Sequence, residues 1–215
     1  FTGARVMGAE HCIPTVGIPG TIDNDLPYTD FTLGFDTAVN TVLDAIRKIR
    51  DTMTSHDRIS VLEVMGRASG QIAIYSGLCG GAECVIVPEI PWDINDIAHQ
   101  VKRAHQHGKL GSLVVLAEGA GKGSDISEQI EELIGIETKY TVLGHIQRGG
   151  SPSARDTQLA CQFGERAVSV LKKGMGSRVV GIRDNQIFDM DINEALSVKR
   201  DMDKELYELT YILAK

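Results

Sequence analysis

The sequence predicts a Rossmann-like, three-layer α/β/α fold built on parallel sheets. Three observations carry that expectation. Short apolar runs alternate with longer helical patterns, the signature of βαβ units. Glycine-rich, charged segments follow the apolar runs, and ligands in such folds bind beyond the carboxyl ends of the strands. No repeat, low-complexity tract or Pro/Ser-rich linker interrupts the alternation.

Taken in order, the chain opens at Phe1 inside what reads as an amphipathic helix already under way, and residues 14–18 read as a first strand. Residues 32–54 form a long helical pattern with Phe35, Val39, Val42, Leu43, Ile46 and Ile49 on one face. A strand at 59–64, a helix at 70–78 and a strand at 84–87 follow, then a helix at 93–107 with Asp93 as N-cap. Residues 113–116 are a further strand. A helix opens at Ser124 or Asp125 and stops near Gly135, residues 140–143 return as a strand, and 152–173 are helical.

Composition narrows the function classes. Across 215 residues, 22 Lys and Arg stand against 29 Asp and Glu, a net charge of −7, with no basic run to replace the counterions of a nucleic acid. The longest apolar stretches are far below the ~18 residues of a membrane-spanning helix. Cys12, Cys79, Cys84 and Cys161 form no C-x-x-C pair or zinc spacing, so they read as free thiols of a cytoplasmic protein. His99, His105 and His107 read as solvated helix residues. The chain has neither an initiator methionine nor a signal pattern, and is expected to be a fragment.

Four loops could carry chemistry. The first, G-I-P-G-T-I-D-N-D at 17–25, sets Asp23 and Asp25 two residues apart beyond a strand. One carboxylate could take a proton from a substrate hydroxyl while the other holds Mg²⁺ against a phosphate; the alternative is an Asx-turn without chemistry. The second, V-M-G-R-A-S-G, places Met65, Gly66 and Arg67 at the end of the 59–64 strand, where a guanidinium could stabilise a transferring phosphoryl group or simply stand on a surface turn. The third brings Glu118, an acceptor for sugar hydroxyls or a helix cap. The fourth, G-H-I-Q-R-G-G-S-P, carries His145 and Arg148 beside two glycines, suiting a sugar phosphate or a charged turn. Arg58 lies at the opposite end of the strand from Arg67, so it can serve the same kind of pocket only if the chain oligomerises.

Together and in this order, G-T-I-D-N-D, E-V-M-G-R, V-L-A-E-G and V-L-G-H-I-Q-R-G-G-S-P closely resemble the bacterial ATP-dependent 6-phosphofructokinases. The resemblance implies transfer of a phosphoryl group from MgATP to the 1-hydroxyl of fructose 6-phosphate in glycolysis. It makes Asp23 the base, Asp25 the Mg²⁺ support, Thr21 a contact of the transferring group and Arg67 the transition-state stabiliser. Met65, Gly66, Glu118, His145 and Arg148 would hold the sugar phosphate, with Arg58 and Lys139 reaching that of a neighbouring subunit, usually in a homotetramer. Arg50, Glu83 and Lys109 match an allosteric nucleotide site, with Glu83 as the Mg²⁺ contact of bound ADP. Mostly from the resemblance come a strand near Gly181, a closing helix, and a division into a nucleotide-side part (1–34 and 147–198) and a sugar-side part (35–146 and 199–215).

Four features depart from the pattern or refine it. Lys139 stands where the family usually has an arginine, and His107 where it more often has a permanent cation. The family's N-terminal nucleotide-binding part, with its G-G-D-G-S loop, does not occur in these residues, so the chain reads as the later, larger part of a subunit and alone incomplete as an enzyme. Gly20 occupies the place of a lysine typical of pyrophosphate-dependent relatives and implies ATP as donor. The readings set against this are a pyrophosphate-dependent phosphotransferase and a non-catalytic regulatory half that binds sugar phosphate or nucleotide. Asp23, Asp25 and Arg67 speak against the second, because a binding module needs no base.

Overall fold

The computed structural model describes residues 1–56, 58–107, 109, 111–199 and 201–214. Along the chain run α1 (Thr2–His11), β1 (Val16–Gly17), α2 (Phe35–His56), β2 (Ile59–Val64), α3 (Gln71–Gly80), β3 (Cys84–Ile86), α4 (Ile94–Gln106), β4 (Ser112–Ala117), α5 (Gly123–Ile134) and β5 (Thr138–Val142). A 3₁₀ turn (Gly144–Arg148), α6 (Ala154–Lys172), β6 (Arg178–Arg183), β7 (Gln186–Asp191), α7 (Ile192–Ser197) and α8 (Lys204–Leu213) complete it. The chain forms two compact units, Phe1–Asp36 with Ser151–Asp201, and Thr37–Gly150 with Met202–Lys215. The breaks fall after Asp36, Gly150 and Asp201, where the sequence reading places them after 34, 146 and 198.

The larger unit carries a four-stranded sheet of order β3-β4-β2-β5, every pair parallel. Its central strand β4 is a nearly continuous apolar run, and β2 is apolar but for Ser60 and Glu63, as expected where helices cover both faces of such a sheet. Every residue of β4 is buried, and Ile59, Val61, Ile86, Val114 and Leu116 pack with Val101, Ile126 and Ile130 of α4 and α5. On the outer edge, β5 buries only Thr138. Asp93 caps α4 by accepting from Asn95 N at 2.7 Å, a bond of ~1 kcal/mol. Helix α8 docks through Tyr207 and Tyr211, whose hydroxyls reach the Val85 carbonyl at 3.2 and 3.1 Å. Beside them, burial pushes the Cys84 thiol up to about 12, which leaves it protonated and inert.

The smaller unit has the sheet β1-β6-β7, with β1 parallel to β6 and β7 antiparallel to it. Among the described residues β7 is an antiparallel addition to sheets that are otherwise parallel, as expected. Asp184 and Asn185 (φ 48° and 59°) link β6 to β7 in register Arg183↔Gln186. Two consecutive residues with positive φ make the tight hairpin turn whose twist matches the strands, and Asp and Asn tolerate that conformation better than most side chains. Leu159 and Phe163 of α6 pack with Val180 and Ile182, while Tyr28, Val179, Ile192 and Ala195 form a second cluster. Asp189 of β7, with only 5% of its side chain exposed, pairs with Arg166 of α6 and Arg178 of β6.

Helix α2 begins at Phe35 instead of 32 for a local reason. Thr32 turns back on the preceding loop, its hydroxyl donating to the Thr21 carbonyl at 2.6 Å and its N–H to Asn24 Oδ1 at 3.0 Å. Gly34 follows at φ +99°, outside helical space.

Candidate active site

Because the four strands of the larger unit are parallel, the segments after β2, β4 and β5 leave one edge of the sheet. There the chain brings together Met65, Gly66 and Arg67, then Glu118, then His145 and Arg148. Their backbone is held by side chains from neighbouring loops. Glu118 Oε1 accepts from the N–H groups of Gly66 and Arg67 at 3.2 and 2.9 Å. Gly66 at φ +147° and Arg67 at φ 53° are both in conformations that L side chains rarely adopt, so this segment depends on its anchors. A Cβ at Gly66 would lie 2.2 Å from the Ser69 carbonyl oxygen, and one at Gly119 would lie 1.9 Å from that of Arg67. Glycine is therefore required at both places for close approach. Glu118, expected as a reader of sugar hydroxyls, is placed by its bonds to fix the backbone of Gly66 and Arg67.

One residue of this edge escaped the sequence reading. Gln147, in the same 3₁₀ turn as His145 and Arg148, is 1% exposed while those two are exposed. Its Oε1 accepts from Met65 N at 3.2 Å and its Nε2 donates to the Gly144 carbonyl at 3.1 Å. The H-I-Q-R motif contains it, but charge drew attention to its neighbours. Only burial reveals the neutral amide.

At the opposite edge stand Arg58, just before β2, and Lys139, paired in register with Ser60. Glu137 lies between them, Oε2 to Arg58 Nε at 2.5 Å and Oε1 to Lys139 Nζ at 2.8 Å. The Lys139 ammonium, then the Arg58 guanidinium, hold the Glu137 carboxyl below the usual carboxylate range. These pairs are exposed and add little to stability.

Toward the other side of that edge, before β3 and β4, Glu83, Gln100, Arg103, His107, Lys109 and Tyr211 line a cavity of about 330 Å³. Glu83 is buried, with Oε2 accepting from Leu113 N at 2.6 Å and Oε1 3.4 Å from Lys109 Nζ. Lys109 also donates to the Ala214 carbonyl at 3.0 Å. Both oxygens of the carboxylate expected to meet Mg²⁺ therefore have partners within the chain. Arg50 lies outside this lining, its Nε donating to the Gly80 carbonyl at 3.0 Å and its Nη2 to that of Gly81.

In the smaller unit, the loop after β1 holds Gly20, Thr21, Asp23 and Asp25. Thr21 Oγ1 accepts from Asp23 N at 3.2 Å. Asn24, at φ 50°, donates to the Asp30 carbonyl at 3.1 Å and accepts from Thr32 N. Asn24, between the two aspartates, thus closes the loop onto residues six and eight positions further on, a wider span than an Asx-turn. Asp23 is 6% exposed and Asp25 is exposed. Among the described residues no three His, Cys, Asp or Glu converge as a preformed metal cage. Two carboxylates on one loop nevertheless suit Mg²⁺, which commonly takes one or two carboxylates and completes its shell with water and substrate phosphate. A Cβ at Gly20 would meet nothing within 4 Å.

The family described as Phosphofructokinase matches residues 1–171. The chain belongs to the phosphofructokinase family. It is 56% identical over 215 residues to the ATP-dependent 6-phosphofructokinase of Clostridium acetobutylicum and 57% identical over 214 residues to that of Alkaliphilus metalliredigens, covering 100% of this chain and 67% of each relative. This phosphofructokinase chain thus spans about two thirds of the length of those relatives. Its fold matches the structure of phosphofructokinase from Saccharomyces cerevisiae with a TM-score of 0.85 at 28% identity, covering 99% of this chain and 33% of that one.

Proposed function

We propose that this chain carries the sugar-phosphate and proton-transfer machinery of an ATP-dependent 6-phosphofructokinase, which converts fructose 6-phosphate and MgATP to fructose 1,6-bisphosphate and ADP. The observation that carries the reading is its 56–57% identity to relatives bearing that name. The geometry of each unit supports the division of roles. Asp23 takes the proton from the sugar's 1-hydroxyl, a contribution of ~10²–10⁴ in rate for a positioned base. Thr21 contacts the transferring phosphoryl group and Asp25 supports Mg²⁺. Magnesium, when bound, neutralises charge on that group.

On the larger unit, Arg67 stabilises the transition state, and Met65, Gly66, Glu118, His145 and Arg148 hold the sugar phosphate. The anchoring of Arg67 by Glu118 supports this, because a transition-state donor works through preorganisation. Arg58 and Lys139, at the opposite edge, serve the sugar phosphate of a neighbouring subunit in a homotetramer. The cavity with Glu83 and Lys109, together with Arg50, receives a nucleotide effector. The smaller unit belongs to the nucleotide side and the larger to the sugar side. Among the described residues no helix is long and apolar enough to cross a membrane, which accords with a cytoplasmic enzyme.

A coupled assay of the natural full-length protein, with MgATP and with Mg-pyrophosphate, tests the reading. Fructose 1,6-bisphosphate from ATP is expected. Product from pyrophosphate alone would overturn the choice of donor, and no product from either would overturn the function.

A further inference from the structure

We propose that Gln147 is a positioning residue, whose buried amide keys the loop bearing Arg67 to the turn bearing His145 and Arg148. The two sets of charged groups then meet fructose 6-phosphate in one fixed register. The inference rests on the sugar-phosphate reading of this edge.

Three observations carry it. First, β2 and β5 are adjacent and parallel up to the pair Glu63↔Val142, after which Leu143 N donates to the Glu63 carbonyl at 3.1 Å. Beyond that point Gln147 supplies the cross-link, accepting from Met65 N and donating to the Gly144 carbonyl. Secondly, with Glu118 it completes a run in which the consecutive N–H groups of Met65, Gly66 and Arg67 are all bonded to side chains from other loops. Thirdly, Gln147 is buried in a turn whose charged residues are exposed, so its polar head is directed to the backbone. An amide suits the position because one planar head offers an acceptor and donors together. A carboxylate would keep the bond from Met65 but turn a lone pair toward the Gly144 carbonyl, and an apolar side chain would take from the buried Met65 N–H the acceptor it has here.

The test uses Gln147→Leu and Gln147→Glu in the natural full-length protein. Displacements near 1 Å commonly cost on the order of 10²-fold. Gln147→Leu is therefore expected to lower kcat/KM for fructose 6-phosphate by ~10–100-fold, through a raised KM together with a lowered kcat, with the KM for MgATP within about twofold of wild type. Gln147→Glu should fall between. A merely structural role would lower the active fraction and leave both KM values alone. Unchanged sugar KM in either folded variant, or equal shifts for both substrates, would overturn the inference. If Gln147→Leu fails to fold, the nearly isosteric Gln147→Glu decides by the same split. If the wild type proves not to be a sugar-phosphate kinase, the function falls first, and hydrogen exchange still judges the keying. The Met65 amide should be protected in the wild type and lose protection in Gln147→Leu, and an amide equally open in both would refute it.

Discussion

Gly119→Ala isolates the requirement that Arg67 be held in place, because it adds one methyl group and no charge. The new Cβ would lie 1.9 Å from the Arg67 carbonyl oxygen and 3.0 Å from its carbonyl carbon. Ordinary carbon–oxygen contacts begin near ~3.3 Å, so one of the two segments must yield by about 1.4 Å. Arg67 cannot slide freely, since its N–H and that of Gly66 are bonded to Glu118 Oε1, the residue next to the substitution. The strain should cost ~1–3 kcal/mol of stability, as overpacking usually does. With Arg67 in its proposed role, a shift of this size should lower kcat by on the order of 10²-fold. The assay is steady-state turnover of the full-length protein alongside thermal unfolding. Gly121→Ala is the control, because its Cβ would meet nothing nearer than 3.8 Å and turnover should stay near wild type. If Gly119→Ala remains folded with kcat within threefold of wild type, the claim that this edge works by rigid placement of Arg67 is refuted.

Lys139→Arg should tighten fructose 6-phosphate binding, because a guanidinium grips phosphate with two bonds where an ammonium acts as a point charge; an unchanged sugar KM would refute the role of Lys139. Gly20→Lys should fold with stability within ~0.5 kcal/mol of wild type, as expected of a substitution with open space around it, while raising the KM for MgATP. A donor preference that does not move would remove Gly20 from the account. Asp189→Asn should destabilise by about 2–3 kcal/mol, somewhat less than a fully buried pair, since its arginine partners are 27% and 37% exposed. Burial opposes ionisation of Asp189, but bonds from Arg178 and Arg166 outweigh it and hold its carboxyl below the usual range. Its stabilisation is therefore complete above the ordinary aspartate value of ~3.9 and is lost as pH falls through the lower native value. Acid unfolding of Asp189→Asn should show a shallower pH dependence there than wild type, and identical slopes would refute the pairing.

The larger unit was legible because its signals are local and strong. Uninterrupted runs such as L-V-V-L-A give central strands, and D-I-N-D gives a capped helix, since the same residues decide the element and its burial. The smaller unit was less so. Its β1 is two residues long and its hairpin depends on Asp184 and Asn185 at positive φ, a weaker turn signal than a glycine pair. Thr32 looks helical by periodicity, yet is drawn into the preceding loop by Asn24 and the Thr21 carbonyl, a non-periodic arrangement. At the candidate site, the charged residues were legible by type and by position after strands. The supports were not: Gln147 carries no charge, and the bonds that Glu118 accepts depend on the fold of Gly66 and Arg67.

The proposed chemistry depends on Asp23 removing the proton from the sugar's 1-hydroxyl, and Asp23→Asn takes away that base while keeping the side chain's size. Turnover and fructose 6-phosphate affinity should be measured on the full-length protein, wild type and variant. Loss of ~10²–10⁴ in kcat with sugar affinity within about twofold is the expected result. Turnover that survives, or affinity and turnover lost in equal measure, would make Asp23 a structural residue of its loop and contradict the account.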